Sequence, residues 1–113
     1  MNDLSTKQDR SRQIAILNDS FRTSFVGGSI CVTAGIHAVG DEFVKLALCA
    51  TRCFVRFDDD EHQEHDFGAI EVEGRKLFWK IDYYDPRMKG GSDDPANLAL
   101  TRRVLTIMLA DEY

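Results

Sequence analysis

Two residues, Glu73-Gly74, constrain this chain more than any others, because they separate two runs that read as β-strands. The runs are about Asp66–Val72 and Arg75–Tyr83, and a two-residue loop ending in glycine joins such strands as a tight hairpin. That turn fixes a register. Val72 faces Arg75, Glu71 faces Lys76, Ile70 faces Leu77, Ala69 faces Phe78, Gly68 faces Trp79, and His65 faces Asp82. The pairing is chemically coherent, with an opposite-charge pair, an aliphatic pair and an indole lying over a glycine. A bulged turn would shift every pair by one and send each side chain to the other face.

Around that hairpin, 113 residues leave room for one domain, and the 43% apolar share is enough for a packed core. Residues 1–8 are polar and expected to be disordered, leaving 9–113 as the domain. From Asp9 to Phe21, Ile14, Leu17 and Phe21 recur at helical spacing, with Arg12, Asp19 and Arg22 turned elsewhere; Gly27-Gly28 stops that helix. Ser29 to Ala34 is short, β-branched and apolar, which reads as a buried strand, and Gly35 and Gly40 bracket a connection. Asp41 to Phe57 reads as an amphipathic helix with Phe43, Leu46, Ala47, Ala50, Cys53, Phe54 and Phe57 on one face. Asp94-Pro95 resembles a helix start, and Leu98, Leu105, Met108 and Leu109 would give a closing helix over 97–110 its apolar face. The run Val104 to Leu109 would also serve as a buried strand, since periodicity does not separate the two for short apolar runs; helix is the reading adopted. The fold class that follows is α+β: one small domain, an antiparallel sheet centred on the hairpin at about 66–83, and two to three helices on one face.

Charge excludes some functions. Nineteen acids against fourteen bases give a net −5, which argues against binding nucleic acid or anionic membrane by phosphate neutralisation and suits a basic surface on another protein. No apolar stretch approaches the ~18 residues of a membrane helix, and the polar start lacks a signal peptide's hydrophobic centre, so a cytoplasmic protein is expected. Cys31, Cys49 and Cys53 form no CxxC pair and sit among apolar neighbours, which predicts buried free thiols rather than a zinc site.

The unusual chemistry lies between Phe57 and Pro86. An acidic run, Asp58-Asp59-Asp60-Glu61, is followed by His62, Glu64, His65 and Asp66. His62-Gln63-Glu64-His65 has neither HExxH nor HxxEH spacing, and the EF-hand template fails because Gln63 stands where glycine is needed and Ala69 where glutamate is needed. No metal or other cofactor is therefore expected. A carboxylate can orient an imidazole as a general base, so His65 with Asp82 is the candidate catalytic pair, with His62 and Glu64 beside it, but no nucleophile is placed next to them. Tyr83 and Tyr84 should point to opposite faces, and Trp79 should lie in the core. Gly90-Gly91-Ser92 lacks the lysine of a phosphate loop, and Arg102-Arg103 reads as two adjacent bases, solvated or paired with the acidic loop, rather than a phosphate clamp.

Three stretches resemble the hallmarks of a family: Glu64-His65-Asp66-Phe67-Gly68, then Phe78 to Asp85 (FWKIDYYD), then Thr101 to Ala110 with Glu112-Tyr113. It is an uncharacterised domain-of-unknown-function family of short bacterial proteins, found on alphaproteobacterial chromosomes and plasmids, and the resemblance spans roughly residues 12–113. Members have a longer, less acidic stretch with proline where this chain has Asp58 to Gln63. The resemblance implies no activity, cofactor or catalytic residue, but genes that travel on plasmids suggest an anti-defence role of anti-CRISPR or anti-restriction type. The functional expectation is a non-enzymatic protein that binds a basic partner through Asp58, Asp59, Asp60, Glu61 and Glu64, with Tyr84 and Asp85 at the neighbouring strand end. The alternatives are a small hydrolase or metal-dependent enzyme built on His62, Glu64, His65 and Asp82, and a homo-oligomeric structural module, a homodimer being its simplest form.

Overall fold

The hairpin forms in the expected register. In the computed structural model, which describes residues 3–57 and 63–113 (side chains from Thr6 onward), the chain begins with helix α1 (Asp3–Ser24). It continues through strand β1 (Gly28–Val32), helices α2 (Ala34–Val39) and α3 (Asp41–Arg52), and strands β2 (Phe67–Val72), β3 (Arg75–Tyr84) and β4 (Arg102–Leu109). Strands β2 and β3 pair from Val72–Arg75 to Phe67–Lys80, with Gly68 on Trp79. Glu73 and Gly74 have φ of 51° and 79°, the positive pair that a two-residue turn matching strand twist requires.

The sheet order is β1-β4-β3-β2, with β1 parallel to β4 and the other neighbours antiparallel. One face is the core. Leu77, Trp79 and Ile81 of β3 and Leu105 and Ile107 of β4 meet Phe21 of α1, Ile36 of α2, and Phe43 and Ala47 of α3. The α+β class and the helices on one face are thus as the sequence implies. Helix α3 starts with Asp41 and Glu42 and ends with Arg52, charges that suit its dipole. No helix among the described residues is long and apolar enough to cross a membrane.

Four expectations are corrected. The closing helix over 97–110 is instead a short 3-10 turn at Leu98–Leu100 and strand β4. Lying between β1 and β3, β4 is covered on one face by helices; Arg103, Leu105 and Ile107 are buried there at period two, and Met108 is buried on the other face. The N-terminal helix begins at Asp3 rather than at Asp9. Helix α3 stops at Arg52, and Phe54 and Phe57 reach the core from irregular chain, edge-on to Trp79. The cysteines Cys31, Cys49 and Cys53 are exposed thiols, two of them on or just past the outer side of α3. The connection between Gly35 and Gly40 also holds a short helix, α2, with Ile36 fully buried.

The indole of Trp79 is completely buried and lies so close to Gly68 that a β-carbon there would collide with its Nε1. Gly68→Ala is therefore an overpacking change inside a sheet with no slack. It should lower unfolding free energy by about 1–3 kcal/mol, measured by urea titration. An unchanged midpoint would contradict this packing.

Candidate functional site

A polar seam runs through the core between α1 and the last two strands. Asn18 and Arg103 are 0% and 2% exposed, positions where polar groups survive only when bonded. Arg103 Nε donates to Asn18 Oδ1 at 2.7 Å, and its Nη2 donates to the Pro95 carbonyl at 2.5 Å. The amide of Asn18 then has its NH2 free for two acceptors: Tyr83 Oη at 2.8 Å and the Glu64 carbonyl at 2.9 Å. Tyr83 donates onward to Glu64 Oε1 at 3.0 Å. The seam thus ends on a carboxylate that balances the guanidinium. Arg103 Nη1 is buried without a hydrogen bond, and the guanidinium instead lies over the Tyr83 ring at 5.3 Å.

A second guanidinium lies one helical turn further along α1. Arg22, 2% exposed, donates to the carbonyls of Thr51 (2.9 Å) and Arg52 (3.2 Å) at the end of α3 and pairs with Asp19 at 3.3 Å. Its face rests against Phe57 and Trp79. Asp19 also receives His65: Nδ1 lies 3.0 and 2.9 Å from its two oxygens. The His65 ring stacks on Phe57 at 3.8 Å and 5°. Gln63 and His65 hold φ of 58° and 56°, a left-handed backbone that ordinary residues adopt at a cost of about 1 kcal/mol or more. Those two residues flank Glu64, so contacts with Asn18, Asp19 and Tyr83 hold a locally unfavourable loop.

The expected cross-strand pairing of His65 with Asp82 does not form. The ladder ends at Phe67–Lys80, and the left-handed turn at His65 swings its ring to α1, while Asp82 pairs with Lys80 at 3.1 Å. His65 and Asp19 border a cleft of about 620 Å³ with Gln8, Arg12, Ala15, Ile16, Phe57 and Gln63. No serine, threonine or cysteine side chain is among those lining residues. An Asp19–His65 pair is suited to accept a proton from water there.

The expected binding residues divide. Asp58, Asp59, Asp60, Glu61 and His62 lie outside the described residues. Glu64 turns inward to Tyr83, and Asp85 accepts the backbone amides of Arg87 (3.0 Å) and Lys89 (3.1 Å), holding the turn after β3. Tyr84 does lie on the opposite face from Tyr83, paired with Arg102. Among the described residues no three His, Cys, Asp or Glu side chains gather as a metal site. In the sequence Asn18, Asp19 and Arg22 appear only as the polar side of an amphipathic helix; three bonding-capable residues within five positions are the signal that marks them.

Among the described residues, no α-helix packs on the other sheet face. Across it run Thr106, Lys80 and Phe67 in one row and Met108, Phe78 and Ala69 in the next. The chain turns after β4 so that Tyr113 packs edge-on against Phe67 (5.7 Å) and Phe78 (5.3 Å), which are themselves 5.2 Å apart. Glu112 secures this turn by accepting Thr33 Oγ1 at 2.6 Å, Leu109 N at 2.8 Å and Gly35 N at 3.1 Å. These donors, the Thr33 hydroxyl foremost, hold its carboxyl below the usual glutamate range. Phe67 is 40% and Tyr113 74% exposed, an aromatic patch open to solvent.

The molecule is thus a small α+β domain with a self-bonded polar seam on one side of its sheet and a bare aromatic face on the other. Its sequence belongs to the family described as "Protein of unknown function (DUF3768)", whose model matches residues 32–112. No curated protein and no solved structure matches the chain. The family match leaves α1 and nearly all of β1 outside, so Asn18, Asp19 and Arg22 lie beyond it while Glu64, His65, Tyr83 and Arg103 lie within.

Burial pushes the Tyr83 hydroxyl far up, and the nearby Asp66 and Glu64 carboxylates add to this against the Asn18 hydrogen bond. A raised folded-state pKa means the contribution of Tyr83 is complete below the ordinary tyrosine value of about 10 and is lost as pH rises above it. Melts at pH 8 and in mild alkali should therefore show the wild type losing more stability than Tyr83→Phe, which has no phenol to ionise. Equal losses would place Tyr83 outside the seam.

Proposed function

We propose that this chain is a non-enzymatic protein-binding module that receives a partner on its open sheet face. The observation that carries the reading is the cluster of exposed Phe67 and Tyr113 with half-buried Phe78, on a face without α-helices among the described residues. Aromatic side chains in contact and open to water are typical anchors of protein interfaces. By contrast, the side chains best equipped for chemistry, Asn18, Arg22, Tyr83 and Arg103, are bonded to one another or to backbone in the interior.

The partner in this reading is a protein surface with an apolar centre for the aromatic cluster and a basic region for the acidic run. The four acids Asp58 to Glu61 enter the chain shortly before Phe67, and the chain's net charge is −5. Lys76, Lys80 and Arg102 on the sheet face are interspersed with Glu71 and Asp82, a mixed pattern that favours protein over a phosphate backbone. Inhibition of a host defence complex belongs to this class of function. A second reading, a hydrolase using water, rests on the Asp19–His65 pair at the cleft; it requires that His65→Asn abolish a measurable hydrolysis without loss of folding.

The test is capture from a native host lysate by the full chain and by Phe67→Ser/Tyr113→Ser. The double variant should lose the captured protein while stability changes by no more than about 1 kcal/mol, since both rings are substantially exposed. Converting Asp58, Asp59, Asp60 and Glu61 to Asn or Gln should slow association and weaken its salt dependence. Undiminished capture by the aromatic variant would overturn the face as the binding site.

A further inference from the structure

We propose that β2 is a pairing edge for a second copy of this chain, forming an antiparallel β2–β2 seam centred on Ala69. The hairpin register decides which backbone groups are available. Val72–Arg75 closes a two-residue turn, and Ile81 N donates to Asp66 O at 2.8 Å, so Val72, Ile70, Gly68 and Asp66 direct their backbone groups at β3. Phe67, Ala69 and Glu71 therefore direct N–H and C=O away from the sheet, and all three residues are exposed. Among the described residues, none of these six groups has a hydrogen-bond partner, and β2 has no other strand beside it.

Natural edge strands are blunted by lysine, proline, a bulge or brevity. Strand β2 reads Phe-Gly-Ala-Ile-Glu-Val: six residues with an unbroken register and one charge, Glu71, that already faces Lys76. Such an edge is a template for strand addition.

Its side chains specify a second copy as the occupant, because the edge is complementary to itself under a twofold axis. Antiparallel pairing about Ala69 sets Ala69 against Ala69 of the other copy, the smallest side chain where the two chains meet. Phe67 falls opposite Glu71 in both halves, so no like charges oppose one another directly. On the open face the row Met108–Phe78–Ala69 of one copy then continues into Ala69–Phe78–Met108 of the other. The two exposed aromatic clusters join into one surface over an eight-stranded sheet built from two four-stranded ones. Helix α3 packs on both β2 and β4, lying across the sheet interior rather than beyond its edge. The pairing rests on the edge and not on the partner proposed above, but it would double the face offered to that partner.

Light scattering and amide hydrogen exchange on the full chain test it over a roughly hundredfold range of concentration. Mass should rise toward twice 12.8 kDa, and the amides of Phe67, Ala69 and Glu71 should gain at least about tenfold protection together with it. Ala69→Pro removes the central outward N–H without taking a hydrogen bond from β3, and should hold the protein monomeric. Ala69→Lys keeps that N–H but opposes two ammonium groups at the seam; it should also give a monomer and serves if the proline variant fails to fold. A monomer throughout, a dimer that both variants leave intact, or a dimer whose three edge amides stay unprotected would each overturn the pairing. Lysate capture that survives in a monomeric wild type would overturn the seam alone, while a dimer without capture would overturn only the partner reading.

Discussion

The hydrogen bond from Arg103 to Asn18 sets the terms for the rest of this fold. A guanidinium stays charged at any ordinary pH, and placing one inside a small core costs several kcal/mol unless its donors and its charge are met. Burial does press the Arg103 pKa downward, with the Tyr83 oxygen and the Glu64 carboxylate opposing it. One amide side chain meets the nearest donor and then passes the connection to Tyr83 and to the Glu64 backbone. The position of α1 over β4, the inward turn of Glu64 and the left-handed backbone on either side of it all accommodate that arrangement.

This asymmetry divides the molecule into two surfaces of different character. On the helix side, polarity is internal and serves to place α1; what reaches solvent there is the Asp19–His65 pair at the cleft. On the bare side, apolar rings reach solvent, held by a turn that Glu112 fastens to Thr33 and Gly35. Buried Arg22 and Arg103 and exposed Phe67 are local exceptions to the usual distribution, which the other arginines and phenylalanines follow.

The hairpin was legible because its determinants are local: a two-residue turn, a glycine able to take positive φ, and pairs that make sense in only one register. Trp79 in the core and Tyr83 and Tyr84 on opposite faces follow from that register alone. Strand β4 was not legible, since Val104-Leu105-Thr106-Ile107-Met108-Leu109 is apolar on both sides and only its neighbours β1 and β3 decide its state. Long-range polar contacts were equally hidden. His65 was matched to the carboxylate across the expected ladder, yet two residues with positive φ ended the ladder and brought it to Asp19, far back in the chain. Arg103 read as half of a solvated pair because nothing adjacent to it announces a buried acceptor. The thiols were misjudged for the converse reason: apolar neighbours in sequence do not imply apolar neighbours in space when a helix ends early, as α3 does before Cys53.

The parallel pairing of β1 with β4 has a consequence for how the chain is made. The hairpin of β2 and β3 closes a short loop and can form as soon as it is synthesised, but β1 must wait for a strand near the opposite end of the chain. Until β4 has emerged, α1 has no Arg103 to receive and β1 has no neighbour. Helices α1 and α2 can already pack on α3 by then, but the β1 pairing and the Arg103 bonds to α1 wait for β4, the strand that fastens the sheet together.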